Sequence, residues 1–166
     1  MLNPRKPAVA GQFYPTDKNE LSRIVDGFLS NAKKQNLPGK IVGLISPHAG
    51  YVFSGQTAGW SYKQLEGEKF DTVILIGSSH NYAVKGCAVW TGGSFATPLG
   101  NVEIDEEITK QLLSSRIIAS NNDAHIPEHS LEVQIPFLQR VLASFKIVAM
   151  LVNDEHSSKE IAEVIS

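Results

Sequence analysis

The chain has 166 residues, of which 42% are hydrophobic and 19% charged, and its formal net charge is −2. A chain of this length removes roughly 70% of its unfolded surface from water in one domain, so it needs no disulfides, and its only cysteine, Cys87, allows no internal one. The balance of charge gives no basic field for nucleic acid, and Lys, Glu, Asp or Asn interrupts every apolar run before the ~20 residues of a membrane span; with no signal-peptide core near the start, the expectation is a cytoplasmic protein forming one domain over residues 1–166.

Residues 1–15 are rich in Pro and Gly yet carry Val9, Phe13 and Tyr14, which predicts an ordered extended arm lying on the domain. Asp17 followed by Glu20 resembles a capping box, and Leu21, Ile24, Val25, Phe28 and Leu29 recur at helical spacing, so a first helix is expected to about Asn31. Pro38-Gly39 breaks the chain. Ile41-Val42-Gly43-Leu44-Ile45 is a short continuous apolar run that predicts a strand buried on both faces and ending near Ser46. Ala58, Tyr62 and Leu65 mark a second helix that stops before Gly67, and Thr72 to Ile76 reads as a second buried strand. Further on, Ala88-Val89-Trp90 is a short strand, Gly92-Gly93 opens a loop, and Asp105 caps a helix carrying Ile108 and Leu112. Glu128 to Gln134 suggests helix whose continuity Pro136 limits. Phe145 to Val152 reads as a strand, and Ser157 or Ser158 opens a helix with Ile161, Val164 and Ile165 on one side. That helix stops at Ser166 within its apolar pattern, so the domain is expected to continue in a longer chain.

A strand, helix, strand unit from Ile41 to Ile76 makes a right-handed crossover and leaves its two strands parallel. As neighbours about 4.8 Å apart, these strands would deliver the loops bearing His48 and His80 side by side to the carboxyl edge of the sheet, where α/β folds bind ligands. Two imidazoles so placed can share a divalent transition metal. Taken singly, each histidine reads as a loop residue hydrogen-bonded to backbone; the pairing is what points to a metal. His125, Glu128 and His129 form a second cluster close in sequence, although Pro127 argues against a helical face shared by His125 and His129. For His129 an exposed place at a helix start is also consistent with the pattern, and His156 among Asp154, Glu155 and Ser157 reads as a surface loop residue. Cys87 reads as a small buried hydrophobe. Gly77-Ser-Ser-His80 lacks the Gly-x-Ser-x-Gly elbow of serine hydrolases, and neither Gly50–Gly55 nor Gly92-Gly93 leads into the Gly-Lys-Ser/Thr of a phosphate loop.

Five segments in order, Ala10-Gly-Gln-Phe-Tyr-Pro15, Pro47-His-Ala-Gly-Tyr-Val-Phe-Ser-Gly55, Gly77-Ser-Ser-His80, Thr97-Pro-Leu-Gly100 and Glu128-His-Ser-Leu-Glu-Val-Gln-Ile-Pro-Phe-Leu138, resemble the Memo family, also called AmmeMemoRadiSam system protein B. The resemblance implies a three-layer α/β/α sandwich with a mostly parallel sheet, similar to the LigB-like class III extradiol dioxygenases, here truncated at the carboxyl end. It implies that His48 and His80 are metal ligands, with iron or copper as the cofactor and zinc a third candidate. Glu128 and His129 correspond to a stretch lining the dioxygenase pocket and become candidates for orienting a ligand or moving a proton. Family members continue into a segment supplying an aspartate, a further histidine and a cysteine at the metal, so additional ligands are expected beyond Ser166.

Two functions follow from the resemblance. One is a metal-dependent redox enzyme related to the dioxygenases but lacking catechol ring cleavage, since a cysteine in place of a hard carboxylate suits copper or zinc. The other is a non-enzymatic binding or signalling module that uses the pocket for a small molecule, a peptide or a metal ion, in keeping with the association of animal Memo proteins with receptor signalling and motility. In prokaryotes the family's pairing with a radical S-adenosylmethionine protein implies a partner in a small-molecule pathway.

Overall fold

In the computed structural model, which describes residues 3–153 and 157–166, the elements run α1 (Lys18–Ser30), α2 (Tyr51–Lys63), β1 (Thr72–Ser78), β2 (Cys87–Val89), β3 (Ser94–Thr97), β4 (Gly100–Glu103), α3 (Glu106–Leu112), β5 (Ile118–Ser120), α4 (Asn122–His125), a 3₁₀ turn (Glu132–Gln134), α5 (Ile135–Val141), β6 (Lys146–Val152) and α6 (Ser158–Ile165). The main sheet has the order β1-β6-β2-β5. β1 and β6 are parallel, as are β2 and β5, while β2 meets β6 antiparallel. β3 and β4 form a separate antiparallel hairpin.

Alternation along β6 builds two cores, because successive strand residues point to opposite faces. Ile147, Ala149 and Leu151 join Leu21, Val25 and Leu29 of α1, Ala58 and Tyr62 of α2, and Phe137 and Leu138 of α5. Val148 and Met150 point the other way, to Leu112 of α3, Ile161 of α6, and Cys87 and Val89 of β2. Helices therefore cover both faces, and the chain has the expected α/β/α layering around a mostly parallel sheet. Burial of each large β6 side chain contributes roughly 1.5–3 kcal/mol. Among the described residues no helix is long and apolar enough to cross a membrane.

Several local expectations are met at the level of single bonds. Asp17 caps α1 by accepting from Glu20 N at 2.8 Å, and Asp105 caps α3 by accepting from Ile108 N at 3.1 Å. The amino-terminal arm is ordered: Arg5 bridges to Phe95 of β3, and Val9 and Tyr14 are buried.

Two expectations are corrected. The run Ile41–Ile45 belongs to no strand, and β1 has β6 as its sole hydrogen-bonded neighbour among the described residues. His48 and His80 are therefore not at the ends of neighbouring paired strands. An apolar run reports burial and not hydrogen-bond partners; here only Ile41 and Leu44, three apart, pack on the core, whereas Val42 and Ile45 are each 97% exposed. A cleft of about 310 Å³, lined by Ile41, Leu44, Val73 and Leu75 among others, lies between this segment and β1. The second correction concerns Glu128–Gln134, which is not one helix. Glu128 precedes the turn, and its carboxylate accepts from His129 N and Ser130 N at 2.8 Å each, satisfying amides at the start of the helical path as a cap does. Pro136 then sits in the first turn of α5, where no amide donor is required, so it marks the passage from 3₁₀ to α geometry. The hairpin β3–β4, β5 and α4 are short elements that periodicity does not predict.

Candidate metal centre

Three loops converge above the carboxyl end of β1. The first carries His48 and runs into α2 through its cap Gly50, the second carries His80 two residues after β1, and the third carries His129 between α4 and the 3₁₀ turn. The ring centroids of His48 and His80 are 5.3 Å apart, those of His48 and His129 5.8 Å, and those of His80 and His129 4.5 Å. One ring nitrogen from each lies within 4.8 Å of the other two. His48 and His80 thus meet as expected, although through loop packing and not through adjacent strands, and His129 joins them.

Each loop is held by specific contacts. Gln134 Nε2 donates to Pro47 O at 3.1 Å, fixing the residue before His48, and Gln134 Oε1 accepts from Tyr62 OH at 2.8 Å. Tyr51 OH donates to Val133 O at 2.8 Å, and Tyr51 N donates to Phe13 O at 2.8 Å, tying the start of α2 to both the 3₁₀ turn and the arm. At the end of β1, Ser130 Oγ donates to Ser78 O at 2.8 Å, while Asn153 and Ser79 exchange two hydrogen bonds. Gly77 gives these side chains room, since a Cβ would lie 2.7 Å from both Leu131 Cδ2 and Ser130 Oγ and would displace them. The Phe13 ring, 4.8 Å from that of His129 between centroids, forms one wall.

Glu128 organises the centre. Its side chain is buried, and its carboxylate accepts from His80 N at 2.6 Å and His80 Nδ1 at 2.9 Å, besides the amides of His129 and Ser130. Burial opposes its ionisation, but the His80 and Ser130 amides, the His80 ring and the His129 amide outweigh burial and hold the carboxyl at about 2. An ionised acceptor at Nδ1 sets the His80 tautomer with its proton on Nδ1 and its lone pair on Nε2, the arrangement by which carboxylates orient metal-binding histidines. Burial lowers the His129 pKa, and repulsion from His80 and His48 adds to this against the attraction of Glu128, so its lone pair stays free to lower pH. The carboxylate is committed to four donors and acts as an orienting group. Glu132, despite its spacing from Glu128, turns away toward Arg5.

The donor chemistry fits a transition metal. Three imidazoles on one ion at about 2.1 Å have nitrogens ~3.4 Å apart, so the observed spacing needs closure on the order of 1 Å. His125 does not join the site. It is 1% exposed, its ring lies 3.1 Å from Ala88 O, and Trp90 and Phe95 meet it edge-on; burial lowers its pKa to about 4. Cys87 is buried in the second core with its thiol pushed up to about 12 by burial, as a packing residue. His156 lies outside the described residues.

Residues 5–166 match the family model of the Memo-like proteins. The chain belongs to the Memo-like family. It is 39% identical over 153 residues to the MEMO1 family protein TV1383 of Thermoplasma volcanium, covering 91% of this chain and 56% of that relative. The MEMO1 family protein of Nitrosopumilus maritimus is 41% identical over 158 residues, covering 91% of this chain and 57% of its own length, and that of Aquifex aeolicus is 42% identical over 149 residues, covering 89% and 54%. The chain thus spans little more than half the length of these Memo-like relatives. In this member, sequence patterns alone did not disclose the supporting roles of Arg5, Phe13, Tyr51 and Gln134; the one available signal was that Phe13, Tyr51 and Gln134 fall inside the segments that resemble the family.

Proposed function

We propose that this Memo-like chain supplies three imidazoles, from His48, His80 and His129, to a transition-metal centre of a redox protein related to the extradiol dioxygenases but without catechol ring cleavage. The observation that carries the proposal is the convergence of three ring nitrogens within 4.8 Å of one another beside a buried carboxylate that presents His80 Nε2. An all-imidazole set suits iron, copper or zinc, and the redox role favours iron or copper. When bound, the metal supplies Lewis acidity or electron transfer. The protein's own residues do the rest: Glu128 holds the His80 tautomer, Phe13 shields one side of His129, and burial keeps the His129 ring neutral, as a ligand must be.

The test is metal analysis and competition titration of the protein beside His48→Ala, His80→Ala and His129→Ala, with the oxidation state assigned by spectroscopy. Substantial loss of metal in each variant is expected, the largest for His80, which has the dedicated carboxylate. Equal metal content in all four proteins would overturn the proposal, and oxygen uptake with catechols abolished by His48→Ala would overturn the exclusion of ring cleavage.

A further inference from the structure

We infer that the amino-terminal arm, Arg5 to Tyr14, is a positioning element of the metal centre, locked by a buried Arg5–Glu132 pair; this rests on the assignment of His48, His80 and His129 as ligands. The pair is nearly inaccessible, with side-chain exposures of 2% and 1%, and its atoms are 2.6 Å apart. Buried ion pairs add little net stability compared with apolar packing, because both charges lose hydration. What such a pair can do is define one geometry, and the hydrogen bonds around it show which geometry is defined.

Every donor of the Arg5 guanidinium is used. Nη1 donates to Glu132 Oε2 and to Lys6 O, Nε donates to His125 O at 2.8 Å, and Nη2 donates to Ile126 O and to Glu128 O. Three of these acceptors are carbonyls of the last residue of α4 and of the loop after it, which presents Glu128 and His129. Glu132 is equally committed: besides Arg5, it accepts from Ala8 N at 2.8 Å, Val9 N at 3.0 Å and Tyr14 OH at 2.5 Å. Between Val9 and Tyr14 the arm carries Phe13, whose ring packs on His129 and whose carbonyl accepts the Tyr51 amide three residues beyond His48. A single charged pair therefore fixes an arm that touches the His129 loop at both ends and the His48 loop at one. The planar fork of arginine is what allows one side chain to bridge a carboxylate and several carbonyls at once; lysine keeps the charge but presents a single ammonium.

The experiment measures Co(II) and Zn(II) affinity, and the visible spectrum of the Co(II) form, in the protein, Arg5→Lys and Val25→Ala. Val25 is fully buried in α1 and serves as a destabilising control that removes no hydrogen bond or charge from the arm. Arg5→Lys is expected to weaken both metals about tenfold or more and to alter the Co(II) spectrum, while Val25→Ala lowers stability with affinity held within about twofold. Unchanged affinity and spectrum in Arg5→Lys, with binding lost in His48→Ala, would overturn the role of the arm and leave the ligand assignment standing. Binding retained in His48→Ala and His80→Ala would overturn the assignment itself. Should Arg5→Lys not fold, amide exchange in the unaltered protein decides: Zn(II) is expected to slow exchange at Ala8 and Val9 as well as at His129 and Ser130, because coupling between sites is reciprocal. Exchange at Ala8 and Val9 that ignores the metal would refute the coupling.

Discussion

Replacing Glu128 by glutamine preserves its volume, removes its charge and isolates the role assigned to the carboxylate. The oxygen of the amide can still accept from the His129 and Ser130 amides, but its NH₂ then faces the His80 amide, donor against donor, and the His80 ring loses its ionised partner. The folded carboxyl is held at about 2 against an ordinary value of 4.5. At about 1.4 kcal/mol per unit, this corresponds to about 3 kcal/mol of stabilisation by the ionised form at neutral pH. Because the folded value is depressed, that contribution is complete above the unfolded value and is lost as pH falls through the folded one. Glu128→Gln should therefore be less stable by about 3 kcal/mol near neutrality, seen as a urea midpoint roughly 1–2 M lower, and should lack the parent's decline below about pH 4.5. Loss of a carboxylate behind a ligating histidine typically weakens metal binding 10–100-fold, so the same variant should show roughly that change in a competition titration. An unchanged midpoint together with unchanged metal affinity, in a protein whose His80→Ala variant has lost metal, would refute the view that Glu128 holds the centre together.

Other perturbations have equally definite outcomes. His125 is buried neutral with a pKa near 4 against an ordinary 6.5, so the unfolded chain binds the extra proton and stability is lost as pH falls through that interval. Between about pH 7 and pH 5 this group should cost the metal-free protein about 2 kcal/mol, and His125→Gln should flatten the dependence of urea-derived stability on pH; an identical slope in the variant would count against the assignment. Gly77→Ala drives a methyl into Leu131 and Ser130, and should lower stability by about 1–3 kcal/mol in thermal unfolding while weakening metal binding through the neighbouring His129 loop. Cys87, buried with its thiol raised to about 12, should react with an aromatic disulfide only at the rate of unfolding; rapid labelling of the native protein would contradict its place in the core.

The parts of this fold that were legible in the sequence are those where one periodicity dominates. α1 announces itself through the cap at Asp17 and an apolar face at helical spacing, and β6 through the apolar run Ile147–Val152 that supplies both cores. Ile41–Ile45 misled because hydrophobicity carries no record of which backbone groups pair, and its outward residues Val42 and Ile45 are as apolar as its inward ones. The centre was legible in a different sense. His48 and His80 could be paired from an expected crossover that the structure does not contain, and they meet because Gln134, Tyr51 and Ser130 tie three loops together through backbone carbonyls. Such contacts join residues 50 to 90 positions apart and leave no local pattern. His129 shows the same limit: the pattern alone reads as an exposed helix start and the family resemblance marks it as an acid–base candidate, whereas its position as a third imidazole depends on Glu128 capping the turn and on Phe13 packing from the opposite end of the chain. It follows that substitutions in the connecting glutamine, tyrosine and arginine should perturb the centre as strongly as some substitutions at its rim, because the loops have no regular structure of their own to hold the imidazoles in place once those ties are cut.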